Sequence, residues 1–469
     1  MSRVLELLAI LALLSWFYAA DSGASPPLIV ANLAIIYALL VRSVCTVSAP
    51  HGIRTYFTVE TLFLTFFFLI FYWPYQQYLL GNYDIATSRF LIYTFPAGTN
   101  EAMILCSVGA IAFSMGYRTI LRGRGGVQTA RPVHAAVDQV EYARRSGGVA
   151  GVFLVLVCGV YLAAGMRTEG EGRYTGTESG GSTAELLSSV ILVLALVVIG
   201  CWLYLRSTKE NEPWLLRLGL LTSVVWSLRW VALGDRNSFL LIAIALVGGY
   251  FTFVRRASLL AFVIGLALAL GLYNAVEILR SPQLLESVGI WGAITGGGAS
   301  QTSDESSFNI TTMTVRASVE VVPAQYPFAG GSFKLVGLLG IFPLFRGLYV
   351  YLIQPEYVTS ADLLGDVMLG PNAVWNVGSN IVSDSYLDFG ALGVLAILSL
   401  LGALAGLATR SVSRSSYSVT SVVVYVAVLA LFAELPRYSA DFPVRVITWA
   451  ALFLFVMRLF LARRRRAAV

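Results

Sequence analysis

Charged side chains mark the edges of several apolar segments in this sequence, where a charge is costly and therefore indicates function. The densest group lies between Glu434 and Asp441 and also contains Arg437 and Tyr438. A guanidinium binds phosphate through two parallel hydrogen bonds, and a carboxylate accepts the proton of a reacting hydroxyl. The group therefore predicts a site that binds a phosphate or diphosphate and activates a hydroxyl.

Arg316 and Glu320 form a second group. Their spacing of four residues places both on one face of a helix. Two interpretations remain: a diphosphate site with an adjacent carboxylate, or an ion pair that stabilises the helix. Glu277 and Arg280 are three residues apart and favour an ion pair, although Arg280 stays a further candidate for diphosphate binding.

Arg229 and Arg236 flank a short turn between two apolar segments. Arg236 begins the second segment, where the free N–H groups of a helix favour anions, so the pair is a third candidate for diphosphate binding. The alternative is that both arginines extend to the membrane edge, with Asp235 as an ion partner. A fourth group contains Asp384, which precedes another apolar segment as a candidate catalytic carboxylate or as a helix cap.

The composition indicates that a lipid bilayer positions these groups. Only 12% of the 469 residues are charged and 57% are hydrophobic, whereas soluble domains carry about 25% charged residues. Apolar windows of about twenty residues, the length that spans a bilayer, occur twelve times. They lie near 4–20, 27–43, 56–77, 99–118, 147–165, 185–206, 213–232, 237–254, 258–275, 388–408, 418–434 and 442–462.

The basic residues predict the orientation of these spans, since short cytoplasmic loops are rich in Lys and Arg. Nineteen basic residues, including the tail Arg463 to Arg466, lie on one side, and six lie in the opposite short loops. Both termini are therefore predicted to be cytoplasmic. Helices 1–9 occupy 1–275, a large exported loop occupies 276–387, and the last three helices with the basic tail occupy 388–469. Within the loop, 335–353 is apolar but contains Pro343 and Arg346, which predicts an interfacial or re-entrant element rather than a span.

Several classes of site are excluded or disfavoured. Three of the four cysteines lie inside apolar segments and the fourth lies beside one, which disfavours a disulfide framework or a thiolate metal site. Both histidines, His51 and His134, lie in loops predicted to be cytoplasmic. The sequence contains no phosphate-binding loop, no G-x-S-x-G elbow, no HExxH and no nucleic-acid motif.

The pattern resembles the O-antigen polymerases, the Wzy-type polymerases of oligosaccharide repeat units, which are related to the O-antigen ligases. Three segments carry the local resemblance: Gly234-Asp235-Arg236, the stretch from Arg316 to Ser332 with its Tyr326-Pro327-Phe328-Ala329-Gly330-Gly331, and Gly378 to Gly393. The likeness in architecture, about a dozen spans with a late exported loop, covers the whole chain.

The resemblance implies an all-α, C-type membrane glycosyltransferase of the bacterial inner membrane that uses undecaprenyl-diphosphate-linked sugars. A growing glycan on one carrier would move onto the non-reducing end of a repeat unit on another, with a chain-length regulator as a further partner. Metal independence and the absence of a cofactor are also expected. Cations would stabilise the leaving diphosphate, and a carboxylate would orient or deprotonate the acceptor hydroxyl. The candidate cations are Arg229, Arg236, Arg280, Arg316 and Arg437, the candidate carboxylates are Glu320, Glu434, Asp441 and Asp384, and Tyr326, Tyr386 and Tyr438 would stack on sugars or anchor the interface.

Four alternatives stay open. An O-antigen ligase is disfavoured because the ligases are associated with a functional exported histidine, and a membrane O-acyltransferase would also need a histidine there. A carrier or flippase would place charges or broken helices at mid-membrane and show inverted repeats, which this sequence lacks. The fourth alternative is a scaffold subunit without catalysis.

Overall fold

The computed structural model describes residues 3–45, 55–82, 84–85, 97–122, 137–168, 181–233, 237–279, 307–371, 376–413 and 417–467. All regular structure in these ranges is helical. The eighteen α-helices are α1 Arg3–Phe17, α2 Pro26–Cys45, α3 Val59–Phe71, α4 Trp73–Leu79, α5 Thr99–Arg122, α6 Val137–Ala163, α7 Gly181–Ser207, α8 Trp214–Ala232, α9 Asn237–Ala243, α10 Gly249–Phe253, α11 Leu259–Leu279, α12 Ser307–Val321, α13 Ser332–Leu339, α14 Pro343–Ile353, α15 Ser360–Leu369, α16 Ile381–Val412, α17 Val419–Ala433 and α18 Asp441–Ala467.

Helix occupies every one of the twelve apolar segments found in the sequence. Seven helices of the described ranges are long and apolar enough to cross a membrane, as expected for a polytopic membrane protein. They lie at Pro26–Cys45, Thr99–Leu121, Asp138–Ala163, Ser182–Ser207, Trp214–Ala232, Ile381–Val412 and Asp441–Arg463. Among the other predicted spans, α1 and α17 are shorter helices, and a π-helical turn at Ile244–Gly248 separates α9 from α10. The count of twelve spans stays a prediction.

Helices α5 and α16 pack along each other at the centre of the bundle because glycines let their backbones approach closely. A Cβ atom built on Gly116 would lie 2.1 Å from the carbonyl oxygen of Ser399, and one on Gly402 would lie 2.1 Å from that of Phe113. Any side chain at either position would collide with the partner helix. The α5–α16 contact therefore fixes the position of α16, which carries Asp384.

Helix α16 begins at Ile381, earlier than the span predicted from 388. Its N-terminal cap is Asn380, whose side-chain oxygen accepts from the backbone N–H groups of Val382 and Ser383 at 3.0 and 2.9 Å. The alternative interpretation of Asp384 as the cap is therefore wrong. Asp384 lies one turn inside the helix and its carboxylate faces other elements.

A kink at Gly390 interrupts α16, where φ is +69°. Just before the kink, the carbonyl oxygens of Leu387 and Asp388 accept from the backbone N–H groups of Ala329 and Gly330 at 2.9 and 3.0 Å. These two bonds attach the turn before α13 to α16. Gly330, Gly331 and Gly390 all have positive φ angles at this contact, a backbone conformation that favours glycine.

The apolar segment 335–353 does not form one continuous helix. It is divided between α13 and α14, with a turn at residues 340–342. Lys334 before it and Ser360 after it both bind the carboxylate of Asp384, Ser360 at 2.8 Å. The chain from 335 to 359 therefore leaves and returns to the same point, so it does not cross from one end of the bundle to the other.

We expect Gly402→Ala to lower the midpoint of thermal unfolding in detergent, because overpacking costs roughly 1–3 kcal/mol. Gly159→Ala in α6 is the matched control, since a Cβ atom there meets nothing within 4 Å outside its own helix. The higher helix propensity of alanine alone would stabilise both variants. Size-exclusion chromatography after heating measures the midpoint, and equal midpoints for the two variants would contradict the close contact of α5 with α16.

Candidate functional site

A cavity lies between α13, α14, the start of α15, the first turn of α16 and the start of α18. Its charged lining residues are Lys334, Arg346, Asp384 and Asp441. The remaining lining residues are Phe333, Val336, Gly337, Leu338, Thr359, Ser360, Ser439, Ala440 and Val444. The cavity therefore brings together Asp384 and Asp441, two candidate carboxylates from separate groups of the sequence.

Lys334 lies between two carboxylates of α16 that are one helical turn apart. Its ammonium group forms an ion pair with Asp384 and lies 3.7 Å from the nearer oxygen of Asp388. Asp388 also accepts from the backbone N–H groups of Phe333 and Lys334 at 3.2 and 3.0 Å. Its carboxylate thus satisfies free N–H groups at the start of α13, where a negative charge is favourable.

The two oxygens of Asp384 are both engaged, one by Lys334 and the other by the hydroxyl of Ser360. Both carboxylates of α16 are buried, and buried charges need partners because desolvation costs several kcal/mol per ion. Lys334 and Ser360 supply these partners. The result is a rigid polar wall on one side of the cavity.

In the part of the chain that the structure describes, Arg346 and Asp441, on the other side of the cavity, have fewer bonds to protein groups than Lys334, Asp384 and Asp388. Within the described ranges, no carboxylate lies within 4 Å of the Arg346 guanidinium, whereas Asp441 accepts from the neighbouring hydroxyl of Ser439. Arg445, one turn further along α18, has Asp441 and Arg346 as its electrostatic neighbours. The cavity therefore offers a guanidinium and a carboxylate that can both contact a ligand.

A second space is an apolar groove between α3, α9 and α11. Its lining is apolar except at one end, which Glu434 and Arg437 form. Glu434 is 0% exposed, and the hydroxyl of Tyr438 lies 3.3 Å from one of its oxygens. Only residues 438–440 separate Arg437 from Asp441, so the polar end of the groove adjoins the cavity along the chain.

Arg316 and Glu320 lie in a different polar cluster. Arg316 is 0% exposed; its Nη1 donates to the carbonyl oxygen of Ile85 at 3.2 Å, while Nε and Nη2 have no hydrogen-bond partner in the described ranges. Glu101 at the start of α5 adds a negative charge near Glu320. The opposite face of α12 bonds to α16 through Asn380 and Thr314 at 2.7 Å, and neither Arg316 nor Glu320 lines the cavity.

The remaining predicted residues that the structure describes do not line the cavity. Tyr386 is buried, donates to the carbonyl oxygen of Val322 at 3.0 Å and packs against Phe17 and Phe328. Tyr326 packs edge-to-face on Tyr357. The Arg229 guanidinium lies 4.8 Å from the ring centroid of Trp226, with Tyr161 and Trp230 also close. Arg236 and Arg280 lie outside the described residues.

The sequence did not predict three residues that line the cavity, Lys334, Arg346 and Ser360, or Asp388, which holds Lys334 in place. Two signals were present. Lys334 is one of two lysines in the chain, and Arg346 interrupts an apolar segment, where a charge indicates function. Ser360 carries no signal of its own.

In the described part of the chain, no three His, Cys, Asp or Glu side chains are grouped as metal ligands. His51 and His134 lie outside it. Metal independence stays a prediction.

No family model, curated protein or solved structure matches this chain.

We expect Glu320→Gln to raise the unfolding midpoint near neutral pH. Burial raises the pKa of the Glu320 carboxyl despite the opposing effect of Arg316, so the folded state holds this proton more tightly than the unfolded state. The stabilisation is complete at acid pH and is lost as the pH rises through the raised pKa, whereas Gln cannot ionise. The rise in the unfolding midpoint should disappear at acid pH, where Glu320 is protonated. Glu356→Gln is the control, because Glu356 is exposed. A lower midpoint for Glu320→Gln at neutral pH would show instead that Arg316 needs the Glu320 charge.

Proposed function

We propose that this protein is a membrane glycosyltransferase that polymerises oligosaccharide repeat units carried on undecaprenyl diphosphate. The observation that carries the proposal is that one short segment, residues 434–441, lines two spaces. Glu434 and Arg437 line the apolar groove, and Ser439, Ala440 and Asp441 line the charged cavity. A lipid-linked sugar also has an apolar part and a charged part: a long hydrocarbon chain, and an anionic diphosphate that carries a polar glycan. The resemblance to the O-antigen polymerases supports the same function.

The reaction joins the acceptor hydroxyl oxygen to the anomeric carbon of the donor glycan, while the bond from that carbon to the diphosphate oxygen breaks. The hydroxyl loses its proton and the diphosphate gains negative charge. A cation that contacts the departing oxygen stabilises this charge, and a carboxylate takes the proton.

The geometry supports one assignment of these roles within the cavity. Arg346 suits the leaving diphosphate because it is not paired with a carboxylate in the described ranges. Asp441 suits the acceptor hydroxyl, since both oxygens of Asp384 already bind Lys334 and Ser360. In this assignment Lys334, Asp384 and Asp388 hold the wall of the site in place.

The groove suits the chain of a carrier. Leu62, Phe66, Leu266 and Ala269 are among the residues that line it, and apolar surface takes up a hydrocarbon chain without cost in hydrogen bonds. Arg437 at its end would then contact the diphosphate of the same carrier. Arg346 and Arg437 thus offer separate phosphate contacts, and a polymerase handles two carriers at once.

The proposal includes a location. The charge bias of the loops supports a multi-pass protein of the bacterial inner membrane with both termini in the cytoplasm. The cavity and the charged end of the groove then lie at the periplasmic face. A ligase is the second candidate, because its donor has the same chemistry and only the acceptor differs.

The test uses purified protein in lipid nanodiscs with a synthetic undecaprenyl-diphosphate repeat unit, with the products separated on a gel. A ladder of lengths is expected, and Arg346→Ala and Arg437→Ala should each slow its formation roughly 100-fold, as expected for loss of a group that stabilises the leaving charge. Arg217→Ala is the control, since Arg217 is exposed and its ion partner in the described part of the chain is Glu212, and surface pairs contribute little.

Each other outcome has a distinct meaning. A single transfer to a different lipid acceptor would indicate a ligase. Normal ladders from both Arg346→Ala and Arg437→Ala would contradict the assigned site, and no product from the unchanged protein would contradict the proposed function.

A further inference from the structure

We propose that α13 and α14 form a hairpin inserted into the exported leaflet of the bilayer, with lipid acyl chains covering its outer face. The hairpin is the segment Ser332–Ile353. The insertion follows from the contacts of the hairpin with α18. Its role in substrate entry rests on the proposed function.

The depth of the hairpin follows from its contacts with α18. Gly337 packs on Asp441, where the last candidate span begins, with a built Cβ atom 2.8 Å from the Asp441 Cβ. Four residues later, the carbonyl oxygen of Ile341 accepts from the indole N–H of Trp449 at 2.8 Å. Trp449 lies about 12 Å into the span, at 1.5 Å per residue. The turn of the hairpin therefore lies well below the end of α18.

Both ends of the hairpin lie at the cavity. Lys334, near the start of the hairpin, binds the carboxylate of Asp384. Ser360, which follows the hairpin in the chain, binds the same carboxylate. A segment that enters and leaves at one end, with its turn at the depth of a span, is re-entrant. Non-helical backbone at such depth needs partners within the protein, and Trp449 supplies one at Ile341.

Helix α14 has two different faces. Leu344, Leu348, Tyr351 and Leu352 follow helical spacing along one side and are exposed, with Leu344 79% and Tyr351 75% accessible. Arg346, Tyr349 and Val350 on the other side are partly buried, and Arg346 lines the cavity. An amphipathic helix of this kind lies with its apolar face in lipid.

The neighbouring helix α18 also exposes an apolar surface. Helix α18 exposes Leu452, Phe455 and Leu459 to its surroundings, and these residues belong to a candidate span whose outer surface must face lipid. The outer face of the hairpin extends this apolar surface toward the exported side. Acyl chains are therefore the occupant that the surface fits.

The consequence for the proposed function is a second way into the site. A carrier in the exported leaflet would pass along the hairpin, and its phosphate would meet Arg346, whereas the groove beside Arg437 would hold the other carrier. Arg346 would then contact a phosphate borne by lipid.

Spin labels test the insertion without any activity. Cys45, the exposed native cysteine, is replaced by serine, and single cysteines at Leu348 and Leu352 are labelled in vesicles of phosphatidylethanolamine and phosphatidylglycerol. Phe455 on α18 is the control for lipid and Glu356, which is exposed beyond α14, is the control for water. We expect labels at Leu348 and Leu352 to resemble Phe455, with oxygen access several-fold above access of a water-soluble nickel complex. Access like that of Glu356 would overturn the proposal, and so would exclusion of both reagents, which would mean that protein covers the face.

A second measurement tests entry. Leu344→Glu combined with Leu348→Glu should slow transfer several-fold from a long-chain carrier in vesicles and leave transfer from a short-chain, water-soluble carrier in detergent unchanged. Equal losses with both carriers would overturn the entry role. No product from the unchanged protein would contradict the proposed function and leave the spin-label result intact.

Discussion

The arrangement of the site depends on the two carboxylates of α16, Asp384 and Asp388, which are buried one turn apart. Two such charges are unstable without compensation, because each pays a desolvation cost of several kcal/mol and they repel each other. Lys334, the hydroxyl of Ser360 and the first N–H groups of α13 provide the compensation. These partners come from two parts of the loop before α16, the start of α13 and the start of α15. The need to neutralise one pair of charges therefore holds the loop over the end of the helix.

Close backbone contacts hold the helix that carries this pair. Gly116 and Gly402 bring α5 and α16 to backbone contact, and the kink at Gly390 turns two carbonyl groups outward to bind the Ala329–Gly330 turn. The charged wall of the cavity is thus rigid, while the opposite wall consists of Arg346 on a short helix and Asp441 at a helix start. A site with one fixed side and one less constrained side suits a substrate that must bind, react and move on.

Hydropathy predicted the helical segments well, because the period and length of a membrane helix are local properties of the sequence. The groups at Asp384 and Asp441 were also recognised locally, as charges beside apolar segments. Their meeting in one cavity was not predictable from spacing, since it depends on contacts between residues more than fifty positions apart. Arg316 and Glu320 share a helix face as predicted, but that face turns toward Ile85 and Glu101 rather than the cavity. Lys334 was missed because its meaning comes only from the two carboxylates around it.

The central claim is that lipid-linked diphosphates bind at residues 434–441, the segment that lines both the groove and the cavity. Electron cryo-microscopy of the protein in nanodiscs with bound undecaprenyl diphosphate tests it most directly. The account predicts a diphosphate within hydrogen-bond distance of Arg346 or Arg437, with the chain along the α13–α14 hairpin or in the groove between α3 and α11. A diphosphate at the opposite end of the bundle, for example at Arg206 and Lys209, would contradict it.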